Sequence, residues 1–170
     1  HAPARVEQSE AEGANDQMLA YVNGMLIASS GYAENANGAD TNGQKADPTV
    51  GIYTHHHLLN SDLELLKEQV LQDTRHANGS SMVFVDGVYQ FVSTTAYFGD
   101  LMVMQYDEDW NFLGSKILIE DAQWPQGTVY DEKSQQYYVA YLAVNGPTTS
   151  QARIAAFDKN WSLVSNTALT

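Results

Sequence analysis

His55-His56-His57 is the most unusual cluster in the chain. Side chains alternate along a strand, so His55 and His57 would share one face there. Two imidazoles at that spacing can ligate one divalent metal, with a third ligand from a neighbouring strand or loop. A packed, hydrogen-bonded histidine run is the competing reading. Asp107-x-Asp109-x-Asn111-x-x-Gly114 has the oxygen spacing that opens a calcium loop. Calcium takes about six to eight oxygens, and the twelfth position of this loop is Leu118 rather than a bidentate acid. Asp and Asn also favour tight turns by bonding their own backbone, and that reading is preferred. A third group lies in the links between repeats, Arg75-His76-Ala77-Asn78-Gly79 from the first to the second and Gln123-Trp124-Pro125-Gln126-Gly127 from the second to the third. There Trp124 could stack on a sugar while Arg75, His76 and Gln126 bond its hydroxyls. Packing of Trp124 between sheets is the alternative. No phosphate loop, nucleophile elbow or His-Glu-x-x-His motif is present.

The elements that must position these residues repeat. Tyr106-Asp107-Glu108-Asp109-Trp110-Asn111-Phe112-Leu113 matches Phe157-Asp158-Lys159-Asn160-Trp161-Ser162-Leu163-Val164, 51 residues later. A weaker copy starts at Leu59-Asn60-Ser61-Asp62-Leu63, 47 residues upstream of the first. Before each lies a β-rich run, a polar turn (Asn23-Gly24, Asp86-Gly87, Glu132-Lys133-Ser134) and a second β-rich run. Asn-Gly and Asp-Gly suit turn positions with φ > 0. Third strands follow, as at Leu101–Tyr106 and Ala152–Phe157, and fourth strands after the acidic turns. The expectation is an all-β chain of about three four-stranded antiparallel blades, a partial β-propeller. The blades cover about 17–73, 80–121 and 127–170, behind an acidic leader over 1–16. Residues 29–51, rich in Asn, Gly, Ala and Asp, insert a long loop into the first blade. One local signal disagrees. Ser61-Asp62-Leu63-Glu64 is a capping box, and Leu63, Leu66 and Val70 keep helical spacing, so 61–76 alone reads as helix. The repeat makes it strand, and strand is preferred.

In style, the aromatic-rich second strands and the closing Asp-x-x-Trp hairpin resemble the five-bladed arabinanase-like and fructosidase-like glycosidases. Asp47-Pro48-Thr49-Val50 is similar to the Asp-Pro step that carries one of three axial carboxylates in those enzymes, but lacks the following Gly-Tyr-Tyr turn. The resemblance implies a propeller in an extracellular or periplasmic, sugar-related setting.

Composition bounds the partners. The 170 residues carry 21 Asp and Glu against 8 Lys and Arg, a net charge of −13. Such a surface repels phosphate and disfavours nucleic acid. The longest apolar run, Tyr137–Val144, is too short to span a bilayer. Without cysteine there is no disulfide, thiolate nucleophile or Cys-ligated metal. The start at His1 fits a trimmed chain or a fragment. Three blades fall short of the usual ring of about four to eight, so a companion chain or a second copy is expected to complete it. The sequence thus points to a secreted module that binds carbohydrate or protein at its loop face. Part of a glycosidase-like hydrolase and a structural assembly subunit are the alternatives.

Overall fold

The computed structural model describes residues 13–33, 52–71, 80–94, 99–144 and 150–169. Twelve strands and no helix occur among them. The first sheet joins β1 (Gly13–Val22), β2 (Met25–Ala33), β3 (Ile52–Leu59) and β4 (Leu65–Leu71). The second joins β5 (Ser81–Val85), β6 (Val88–Thr94), β7 (Leu101–Asp107) and β8 (Phe112–Ile119). The third joins β9 (Ala122–Asp131), β10 (Gln136–Val144), β11 (Ser150–Phe157) and β12 (Leu163–Ala168). Each is an antiparallel meander in chain order.

The turns explain why the sheets are alike. Asn23-Gly24 and Asp86-Gly87 place both turn residues at positive φ, 50° and 73° in the first and 51° and 78° in the second. That twist suits a two-residue hairpin, and Val22 pairs with Met25 as Val85 pairs with Val88. The turns from third to fourth strand are built identically. In each, an Asn or Asp carbonyl accepts the N–H three residues on: Leu63, Trp110 or Trp161. The same residue's Oδ1 accepts two further backbone N–H groups at 2.9 Å. This leaves Leu63, Trp110 and Trp161 left-handed, at φ 61°, 65° and 61°. A register shift follows in all three, at Leu66, Leu113 and Val164.

The helix suggested by the capping box over 61–76 does not form. Asn60 Oδ1 takes the Asp62 and Glu64 N–H groups for the hairpin, and Leu65–Leu71 is strand. The stretch 123–127, read above as a link, lies inside β9, because Ala122 and Gln123 pair with Ala143 and Leu142. Glu120-Asp121 makes the connection instead. β1 likewise begins at Gly13, within the segment assigned to the leader.

The first strands of the sheets lie side by side, β1 against β5 and β5 against β9. Two apolar cores fill the gaps. Met18, Ile27 and Leu58 meet Tyr89, Phe91 and Trp110 between the first and second sheets. Val92 and Val103 meet Tyr137, Val139 and Trp161 between the second and third. The second sheet is therefore buried on both faces, while the fourth strands β8 and β12 lie largely exposed. Inner strands together and outer strands in solvent is the radial, propeller-like arrangement of an open set of blades. No described helix is long and apolar enough to cross a membrane.

Candidate functional site

Where the first strands end, the hairpins bring three aromatic residues to one opening. Tyr21 pairs with Leu26, Phe84 with Tyr89 and Tyr130 with Tyr137, so the three occupy equivalent places. With Val22, Asn23, Val83, Val85 and Glu132 they line an opening of about 330 Å³. Tyr21 is 73% exposed and Phe84 and Tyr130 are half-buried, so ring surface is available to a ligand.

Two of these rings stand on a rigid backing. Phe84 leans on Tyr89 at 4.6 Å between centroids, and Tyr89 stacks on Trp110 at 4.2 Å and 11°. Tyr130 leans on Tyr137 at 4.8 Å, and Tyr137 stacks on Trp161 at 4.0 Å and 9°. Such contacts add to area burial and fix ring orientation. The first sheet has Leu26 and Leu63 at these places, so Tyr21 lacks the tower. Burial, then the neighbouring Tyr130 and Asp86, pushes the Tyr137 phenol up to about 12.

Polar links tie the sheets together around the rim. Asn23 Nδ2 donates to the Tyr89 hydroxyl at 3.0 Å. Lys159 Nζ meets Asp86 Oδ2 at 2.6 Å, and that hydrogen bond and charge raise the lysine pKa. Glu132 is the carboxylate among the eight lining residues.

Of the site residues read from the sequence, Trp124 and His57 lie away from this opening. Trp124 sits near the start of β9, at the other end of the sheet from Tyr130. Pairing jumps from Gln123–Leu142 to Gly127–Ala140, so Trp124, Pro125 and Gln126 form a bulge, with Trp124 half-buried at φ 48°. The bulge is fastened where Ser81 Oγ donates to the Pro125 carbonyl at 2.8 Å. The side chain of Gln126 is outside the described residues, as are Arg75 and His76 and the Asp47-Pro48 step.

His57 lies on β3, 4% exposed, its Nε2 at 3.7 Å from Oε1 of Glu68, its cross-strand partner on β4. Its repeat equivalents are Met104 and Ala155, both fully buried, so the place is a packing position throughout. His55 is on the same strand, with its side chain outside the described residues. No cluster of three metal-ligating side chains occurs among the described residues. The Asp107 loop is an Asx turn. Its Oδ1 accepts from the Asp109 and Asn111 backbone, and its Oδ2 from Asn111 Nδ2 at 2.9 Å. The Asn111 side-chain bond leads in holding Asp107 below the usual carboxylate range.

The aromatic opening escaped the sequence reading although its signal was present. Tyr21, Phe84 and Tyr130 each stand two residues before the polar turn of their repeat. Aligned strand by strand, they put an aromatic residue at the same place on each of the three first strands. No protein-family model matches the chain, and no curated protein matches it.

Proposed function

We propose that the chain is a secreted, non-catalytic propeller module that binds carbohydrate at the aromatic opening. The observation that carries this reading is the repeated aromatic triplet, Tyr21, Phe84 and Tyr130, around a concave space of about 330 Å³. Small-molecule sites combine apolar and aromatic walls with a few convergent polar groups, and Asn23 and Glu132 supply those groups. A sugar ring offers an apolar C–H face to such rings and hydroxyls to the rim. The stacked towers behind Phe84 and Tyr130 favour binding, because little ring freedom is left to lose. An extracellular or periplasmic location follows from the same reading and from the resemblance to glycosidase propellers.

Hydrolysis by the usual route needs a pair of carboxylates about 5 to 10 Å apart. Among the described residues that line the opening, Glu132 is the carboxylate, and the aromatic triplet beside it favours binding over the hydrolase alternative. The structural-assembly alternative is favoured by a separate observation. The outer flanks of the first and third sheets expose Leu63 (54%) and Val129 (61%), and a companion chain or a second copy is proposed to complete the ring.

The test is a glycan-array screen followed by calorimetry on any hit. Tyr130→Ala and Phe84→Ala are expected to weaken binding at least about tenfold, the equivalent of about 1.4 kcal/mol. Binding that survives both substitutions would move the site elsewhere.

A further inference from the structure

The aromatic opening has a charge as well as a shape. Among the described residues that line it are three rings, Tyr21, Phe84 and Tyr130, one carboxylate, Glu132, and no basic side chain. Glu132 stands two residues beyond Tyr130, just past the end of β9, so ring and carboxylate reach the opening from the same strand end. Lys159 lies close enough to raise its pKa through the Tyr130 phenol, but Asp86 Oδ2 already holds its ammonium at 2.6 Å. The surrounding rim is acidic. The turns at this end of the sheets, 60–64, 86–87, 107–111, 131–135 and 158–162, carry nine Asp and Glu against Lys133 and Lys159. A concave mouth of one charge sign focuses the field and raises the local concentration of the opposite sign.

Aromatic faces are the negative side of the ring quadrupole, and they attract a cation placed within about 6 Å of the ring centre. A neutral sugar uses such rings only through its C–H face and leaves the Glu132 carboxylate without a charge partner. A sugar bearing a protonated amine uses rings and carboxylate together. We propose that the opening takes an amino sugar with a free, protonated amine, seated between the Glu132 carboxylate and the rings of Phe84 and Tyr130. The inference rests on the carbohydrate reading of this opening and adds the chemical class of the sugar. The backing of the two rings suits the task. Tyr89 on Trp110 and Tyr137 on Trp161 fix the faces that Phe84 and Tyr130 present, so little ordering is left to oppose binding. N-acetylation of the sugar removes the charge that both the rings and Glu132 recognise, so the acetylated form is the discriminating comparison.

The probes are the β-1,4-linked trisaccharide of glucosamine, its fully N-acetylated form and the glucose trisaccharide of the same linkage. Each is titrated into the 170-residue chain at about 0.15 M salt, by calorimetry and by nuclear magnetic resonance of the aromatic rings. The glucosamine trisaccharide should bind at least about tenfold tighter than the other two and shift the Tyr21, Phe84 and Tyr130 rings. Glu132→Gln should bring the three affinities to within about threefold of one another. Asp109→Asn, an exposed acid of the rim outside the lining residues, should keep the tenfold preference. Trilysine, a cation without sugar rings, should bind at least about tenfold more weakly than the glucosamine trisaccharide. A preference that Asp109→Asn erases as fully as Glu132→Gln, or that trilysine matches, reduces the effect to surface charge and overturns the amine seat. Equal or tighter binding of an uncharged trisaccharide at the three rings overturns the amino sugar and leaves the carbohydrate reading standing. Absence of binding by the glucosamine trisaccharide also overturns the amino sugar, while the carbohydrate reading stands or falls separately with the array screen.

Discussion

Trp161→Ala tests the repeat at its most loaded position. The indole is 3% exposed, stacks on Tyr137 at 4.0 Å, leans on Phe157 at 5.5 Å and donates to Gln90 at 3.1 Å. Truncating a buried aromatic of this kind costs about 3 to 5 kcal/mol, from lost transfer energy and the cavity left behind. Gln90 keeps one partner, since Gln105 Nε2 still donates to its Oε1 at 2.9 Å, so no orphaned acceptor adds to that figure. The backbone supplies a second handle. At φ 61° alanine keeps the left-handed strain and glycine does not, so Trp161→Gly should be as stable as Trp161→Ala or better by up to about 1 kcal/mol, the reverse of the usual order. The internal control is Leu63→Ala, in the same turn at the same φ but exposed, expected to cost under about 1 kcal/mol. Urea denaturation followed by circular dichroism, in dilute low-salt solution where association is least, measures all three. A Trp161→Ala loss below about 1.5 kcal/mol, or one matched by Leu63→Ala, would refute the claim that the turn residue anchors one sheet to the next.

Hydrogen bonds hold Asp107 and Asp131 below the usual carboxylate range, led by the Asn111 and Ser134 side chains. Their stabilising effect is therefore present above the unfolded-state pKa and is lost as pH falls through the lowered folded value. Urea midpoints should fall on acidification below about pH 4, and less steeply in Asp107→Asn. At the other extreme, the Tyr137 phenol, raised to about 12, contributes stability below tyrosine's usual value near 10 that is lost as pH climbs towards 12. Alkaline denaturation should begin above about pH 10, and the late phenol ionisation seen by ultraviolet absorbance should lose amplitude in Tyr137→Phe. Gly87→Ala should cost about 1 kcal/mol through its backbone at φ +78°, because the added Cβ would meet only Glu108 Oε1, at an ordinary 3.7 Å. Lys159→Ala removes an exposed, solvent-screened pair with Asp86 and should leave the urea midpoint close to that of the parent chain.

The strand plan was legible because turn chemistry is local. Asn-Gly, Asp-Gly and the Asp-x-x-Trp turns each need only neighbouring residues to set their backbone, and the four-strand meander follows from them. The same locality misled at 61–76, where one set of residues suits both a helix cap and an Asx turn. Pairing with β3 decides in favour of strand there, and pairing is not written in the segment itself. The Gln123–Gly127 stretch failed differently. A bulge containing Trp and Pro looks like a linker until the cross-strand pairs on either side of it are known. The site was the least legible part. Trp124 and His57 stand out by residue type, yet one lies in a fastened bulge and the other in a packing position. Tyr21, Phe84 and Tyr130 are ordinary strand aromatics by type. Their convergence depends on how three inner strands sit side by side, a property of the assembled sheets and of no single repeat.

The most direct test of the aromatic opening as a binding site is a nuclear magnetic resonance titration of the isotopically labelled chain with an oligosaccharide chosen by array screening, read at assigned aromatic side chains. The rings of Tyr21, Phe84 and Tyr130 should shift together and saturate on one isotherm, with the Asn23 side-chain amide following them. Shifts centred on Trp124, with those three rings unmoved, would contradict a site there.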